Sequence, residues 1–146
     1  MKSSFRFILG AAVAVALNLA ALPAVADTSV GVGYFAPSPD TKALGFIASE
    51  GLSLPLVPIT PQVTVAIPSS GGRYVATAEA KFAHAGGYIG AGAGVGLLKK
   101  NGTSGEINTV FVGKRVAPFT SIEARYYGLG TKTAGSSGFI GLRFSI

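Results

Sequence analysis

The chain has 146 residues, a net charge of +6, no cysteine, and only 12% Asp, Glu, Lys and Arg, against about 25% in soluble domains. The lack of cysteine excludes a disulfide scaffold and a cysteine-bearing metal site. The mild basicity has no cluster longer than Lys99-Lys100 or Lys114-Arg115, so nucleic acid is not an expected partner.

The first 26 residues read as a leader. Lys2 and Arg6 precede an apolar run from Phe7 to Leu22, and Ala24-Val25-Ala26 offers small residues where a signal peptidase reads. Cleavage there leaves residues 27–146 as one domain. No apolar run in that part is long enough for a transmembrane helix of ~20 residues, and Gly86–Leu98 is the longest. A hydrophobic exported chain without such helices can still cross a bilayer as a closed β-barrel, in which every backbone group is paired.

Strand candidates then follow in series. Asp27–Phe35 is the first, with Val30, Val32 and Tyr34 on one side. Lys42 to about Leu56 holds the second. Its phase is ambiguous, because Leu44, Phe46 and Ala48 share a side with Glu50, and Gly51 suggests a bulge or a strand end. Thr60–Ile67 is the third, setting Val63, Val65 and Ile67 against Gln62, Thr64 and Ala66, with prolines 55, 58, 61 and 68 near its borders. Arg73–His84 alternates Tyr74, Ala76, Ala78, Ala80 and Phe82 with Val75, Thr77, Glu79 and Lys81. Tyr88–Leu98 alternates Ile89, Ala91, Ala93 and Val95 with glycines 90, 92, 94 and 96. The hairpin Ile107–Leu129 supplies the sixth and seventh strands, joined at Val116-Ala117-Pro118, and Gly138–Ile146 is the eighth. A period of two is the mark of a strand between two different environments.

Strand number follows from length. Membrane-crossing strands take ~9–11 residues, so eight use about 72–88 of residues 27–146, and ten leave almost nothing for connections. Tight connections at 84–86 and 116–118 alternate with longer polar ones at 99–105 and 128–137. That is the outer-membrane arrangement of short periplasmic turns and longer outer loops. The expected fold is therefore an all-β, eight-stranded antiparallel up-and-down transmembrane barrel.

The faces divide by charge. Glu79, Lys81, Glu106, Lys114, Glu123, Arg125 and Arg143 are expected on the lumen face, away from lipid, where a mid-depth Lys or Arg costs about 2–4 kcal/mol. Arg115 is the exception by phase and sits at the periplasmic end, within reach of headgroups. Glu79, Lys81, Glu123, Arg125 and Arg143 are expected to form a paired network that plugs the lumen. Eight strands enclose only enough room for side chains, which excludes a wide pore. Tyr34, Phe35, Phe119, Tyr126, Tyr127 and Phe144 collect near strand ends, as an interfacial girdle does. A soluble secreted β-protein with the charged face outside obeys the same alternation and is the alternative fold.

Three stretches carry a resemblance: Gly87-Tyr88-Ile89-Gly90-Ala91-Gly92-Ala93-Gly94-Val95-Gly96, Glu123-Ala124-Arg125-Tyr126-Tyr127-Gly128, and Ile140-Gly141-Leu142-Arg143-Phe144. They resemble the small eight-stranded outer-membrane barrels of the OmpA-like and opacity-protein type, most clearly over the last 60–70 residues. The resemblance implies a location in the outer membrane, contact with lipid and lipopolysaccharide, and insertion by the barrel-assembly machinery. That machinery would read the C-terminal strand through Leu142, Phe144 and Ile146, with Ile146 standing where the family usually has an aromatic residue.

Other chemistry finds little support. The strand-five glycines are spaced G-x-G-x-G-x-G with no G-K-[ST], so they are not a phosphate cradle; they leave room for lumen side chains. His84 is the single histidine, too few for a histidine-rich metal site. Lipid A deacylases are similar barrels that place His and Ser two apart on one strand, but here Gly86 follows His84. The expectation is thus a monomeric barrel with no catalytic, cofactor or metal residues and a structural or envelope-surface role, with a narrow channel as the alternative. Lys99, Lys100 and Lys132, in or beside the longer loops, are equally open to two readings: contacts to lipopolysaccharide phosphates, or ordinary solvated loop residues.

Overall fold

In the computed structural model, the described residues are 25–38, 41–54, 57–69, 73–98, 104–128 and 136–146. They form eight strands: β1 (Val25–Ser38), β2 (Thr41–Ser53), β3 (Ile59–Pro68), β4 (Arg73–His84), β5 (Gly87–Leu98), β6 (Ser104–Ala117), β7 (Thr120–Tyr127) and β8 (Ser137–Ser145). Each pairs antiparallel with the next, and β8 pairs with β1, so the sheet closes on itself. Closure removes the unpaired edges that an open sheet would present.

Cross-strand partners climb as they go round. The path Asp27, Gly51, Gln62, Glu79, Gly92, Thr109, Tyr127, Ser137 arrives next to the Gly138–Ala36 pair, about ten residues further along β1. This stagger tilts the strands and sets the barrel's width, since strand number and shear together fix the diameter.

One end of the barrel carries the β4–β5 and β6–β7 turns and is called the turn end; the other is the loop end. The β4–β5 turn uses Ala85 (φ 48°) and Gly86 (φ 78°). Two positive φ values suit the right-handed strand twist in a two-residue hairpin, which glycine adopts freely and alanine does not. The connection lengths of the second half do not extend to the first: two residues separate β1 from β2 at the loop end, and five separate β2 from β3 at the turn end.

The alternation divides the chain into two surfaces. Val30, Tyr34, Leu44, Phe46, Val63, Val65, Ile67, Ile89, Val110, Val112, Ile122, Ile140 and Leu142 are all exposed on the outside. In water this surface would be a large unexplained apolar patch; in lipid it is the expected band. Tyr34, Phe46 and Tyr126 lie toward the loop end of this face, and Phe82, Phe119 and Phe144 toward the turn end. Leu142 and Phe144 of the C-terminal strand also face outward, whereas Ile146, just past its end, is exposed and lines the turn-end mouth.

Four sequence expectations need correction. Phe35 and Tyr127 do not belong to an outer girdle; they are buried inside the barrel. Tyr127 has the phase of Glu123 and Arg125, and a side chain of that phase points inward whatever its ring would prefer. Glu106 and Lys114 do not face the lumen: they share the phase of Val110 and Val112 and are exposed outward, near opposite ends of β6. Those end positions let the charges reach polar surroundings. Gly51 is neither a bulge nor a strand end. It pairs in continuous register with Asp27 and Gln62, and the register shift in this hairpin falls between Phe35 and Ser38. Arg115, finally, lines the lumen mouth at the turn end, beside a register shift between Arg115 and Ala117.

The expected leader, residues 1–26, lies outside the described residues as far as 24; Val25 and Ala26 begin β1. Lys99, Lys100 and Lys132 also lie outside the described residues.

Candidate functional site in the barrel lumen

Inward side chains fill the lumen in three layers. Nearest the loop end is an apolar cluster of Phe35, Ile47, Ala66, Val75, Ile107, Tyr127 and Phe139. Phe35 and Phe139 meet at 4.9 Å between centroids, tilted at 50°, and Phe35 and Tyr127 lie nearly parallel at 6.5 Å. Every member comes from the loop-end half of its strand except Ile47, at the midpoint of β2. Such rings contribute both buried area and about 0.5–1.5 kcal/mol per aromatic pair.

The middle layer is ionic. Glu79 Oε1 accepts from Arg125 Nη1 at 2.5 Å and from Thr77 Oγ1 at 2.6 Å, while Oε2 accepts from Gln62 Nε2 at 2.6 Å and Thr64 Oγ1 at 2.7 Å. Four donors saturate a carboxylate whose side chain is fully buried. Glu123 Oε1 accepts from Arg125 Nε and, at 3.2 Å, from Arg143 Nη1; its Oε2 accepts from the Tyr88 hydroxyl at 2.8 Å. Arg143 also donates through Nη2 to Ser29 Oγ. The Arg125 guanidinium lies 4.2 Å from the Phe111 ring centroid, a cation–π contact away from bulk water. Two carboxylates and two guanidiniums thus balance. A buried pair is tolerated when its geometry is good and its remaining donors and acceptors are bonded; here Arg125 Nη2 is a buried donor left without a hydrogen-bond partner among the described residues.

Two glycines make this layer possible. A Cβ on Gly113 would lie 2.1 Å from Tyr88 Cζ, and one on Gly90 would lie 2.2 Å from Phe111 Cζ. The missing side chains are the space that Tyr88 and Phe111 occupy, and those rings support Glu123 and Arg125 respectively.

The third layer, at the turn end, is polar and open. Lys81 Nζ bonds to Asp27 Oδ2 and lies 5.7 Å from the Tyr88 ring centroid. A cavity of about 610 Å³ runs through this layer to the mouth.

Of the five charged residues expected to form the lumen network, the structure brings Glu79, Glu123, Arg125 and Arg143 into one buried group. Lys81 stands apart, paired with Asp27. Sequence reasoning missed Asp27, Tyr88, Gln62, Thr64 and Ser29 as partners. Each has the inward phase of its strand, which was a usable signal for facing inward but not for which residue it meets. His84 is exposed, its ring at 17° to that of Phe82 and 6.5 Å away. Among the described residues no group of three or more His, Asp or Glu side chains is placed to hold a metal ion.

No family model matches the chain, and no curated protein matches it. Solved structures do. One is from a study of the de novo design of transmembrane β-barrels, at 13% identity and a TM-score of 0.54, covering 86% of this chain and 97% of that one. The solution NMR structure of the de novo designed barrel TMB2.3 matches at 15% identity and a TM-score of 0.55 over the same shares, 86% and 97%. The crystal structure of Neisserial surface protein A, NspA, matches at 17% identity and a TM-score of 0.48, covering 83% of this chain and 96% of that one. The closed antiparallel sheet, its apolar exterior and the likeness to the two designed barrels agree: this chain has the fold of transmembrane β-barrels.

Proposed function

We propose that the chain is a non-enzymatic outer-membrane β-barrel with a structural or envelope-surface role, acting as a monomer. The observation that carries this reading is the filling of the lumen: an apolar cluster and a balanced ionic layer lie in series beneath a lipid-suited exterior. On this reading Glu79, Glu123, Arg125 and Arg143 plug the barrel, and Lys81 braces its mouth. The exterior meets outer-membrane lipid and lipopolysaccharide. The barrel-assembly machinery reads Leu142 and Phe144 on the outer face of β8 and Ile146 just past its end. Catalysis has little support: His84 is exposed at the end of β4, next to an aromatic ring.

Gel mobility of the outer-membrane fraction, unboiled against boiled, tests this. A closed barrel resists detergent until heated, so a shift on boiling is expected. A protein recovered in the periplasm or medium, with no shift, would refute the reading and favour the soluble alternative.

A narrow channel is the second reading. It is favoured by the turn-end cavity, which leaves only the ionic layer and the apolar cluster as barriers. Single-channel recording separates the two: a plug gives no steps in the native protein, and Glu123→Ala raises conductance only if the ionic layer is the gate.

A further inference from the structure

The turn-end cavity reaches the ionic layer through Tyr88, which lines it and whose hydroxyl donates to Glu123. Its volume, about 610 Å³, falls within the range of small-ligand sites, which are commonly concave with a few convergent polar groups. Its lining includes Asp27, Lys81, Tyr88, Arg115, Ser121 and Ser145.

The charges in the lumen are unequally committed. Asp27 is taken by Lys81, Glu79 by Arg125, and Glu123 by Arg125 and Arg143. Among the described side chains, the cations lining the lumen and its turn-end mouth are Lys81, Arg125, Arg143 and Arg115. Of these, Arg115 is the one with no carboxylate side chain within ion-pair distance among the described residues. It stands exposed at the open end, where a cleft carrying one sign of charge draws in counter-ions. Arg115 and Ser121 are direct cross-strand partners, and the hydroxyls of Ser121 and Ser145 are donors lining the same cavity. A guanidinium fork beside two hydroxyls suits a planar or tetrahedral oxyanion.

We propose that this vestibule binds the oxyanion group of a small carboxylate or phosphate, held by Arg115 and capped by Ser121 and Ser145. The Lys81–Asp27 pair limits the affinity, because Asp27 keeps the second cation occupied. Such a group can come from a free solute or from a lipid headgroup at the mouth.

Backbone amide NMR of the barrel in non-ionic detergent micelles tests the proposal, with inorganic phosphate as the probe and sodium chloride at matched ionic strength as the control. Saturable shifts are expected at Gly87, Ser121 and Ser145, and none at Phe35 or Phe139. Arg115→Gln should weaken binding by about tenfold or more, the loss expected for a charge-assisted hydrogen bond. Asp27→Asn should tighten binding by freeing Lys81. In nanodiscs of phosphatidylglycerol, a headgroup source predicts the same amides already displaced without phosphate and restored by Arg115→Gln. A free-solute source predicts no displacement until phosphate is added. The proposal is overturned if phosphate does no more than chloride, or if Arg115→Gln keeps a native spectrum at Phe35 and Phe139 yet binds phosphate unchanged.

Discussion

The two closed layers of the lumen solve one problem with opposite chemistry. At the loop end, Phe35, Ile47, Val75, Ile107, Tyr127 and Phe139 fill the barrel by apolar contact. One layer deeper, Glu79, Glu123, Arg125 and Arg143 fill it with charge. Both layers use inward positions of the same strands: Tyr127 lies two residues from Arg125, and Phe139 four from Arg143. The apolar layer tolerates any neighbour of suitable shape, because dispersion and burial are non-directional. The ionic layer tolerates almost none, because each group depends on named partners. The first therefore stabilises, and the second specifies which strand positions face each other, a role best attested for buried polar groups that fix register.

The largest expected effect breaks the ionic layer. Glu123→Ala removes Arg143's carboxylate partner and half of Arg125's, leaving buried charge uncompensated. We expect a loss of about 3–5 kcal/mol, measured by urea unfolding from detergent or vesicles. Phe139→Ala attacks the other layer and should cost a comparable amount, about 3–5 kcal/mol, through a cavity. The two are told apart by rescue. Replacing Glu123, Arg125 and Arg143 together with apolar residues of similar volume should recover most of the loss, whereas no charge change elsewhere should rescue Phe139→Ala.

A smaller effect is expected where the strands make room for the ionic layer. Gly113→Ala drives its Cβ into Tyr88 and should displace the phenol from Glu123, costing about 1–3 kcal/mol as overpacking does. The cost should shrink when Tyr88→Ala is added, and a strictly additive double mutant would show that the ring is not the obstacle. Smallest is Lys81→Gln. Its partner Asp27 is partly exposed at the mouth, so the loss should be about 0.2–1 kcal/mol and fade in high salt. A salt-independent loss above that range would place the pair inside the sealed part of the lumen.

Much of this architecture was legible in the chain. The phases of β4, β5, β7 and β8 could be read directly, because Ala, Ile and Leu alternate there with Gly, Glu and Arg. The errors came where residue type was allowed to override phase. Tyr126 and Tyr127 are adjacent and chemically alike, yet one is exposed outward and the other buried inside. Glu106 and Lys114 look like lumen charges by residue type alone, although Val110 and Val112 share their phase. In β2 the outward position of Glu50, near the turn end, blurred an alternation that is in fact unbroken. Its carboxylate accepts from Thr28 Oγ1 at 2.7 Å on the neighbouring strand.

By itself the sequence determined how many strands there are, which side of most of them is apolar, and that charge is kept from the middle of that side. These are local properties, carried by the two-residue period and the cost of charge in lipid. The tertiary structure alone decided who meets whom across the lumen: Glu79 of β4 with Arg125 of β7, Lys81 of β4 with Asp27 of β1, and Phe35 of β1 with Phe139 of β8. It also decided that the apolar inward residues gather at one end and leave an open polar cavity at the other. The reason is closure. Only when β8 joins β1 with a definite stagger do positions far apart in the chain come to the same depth.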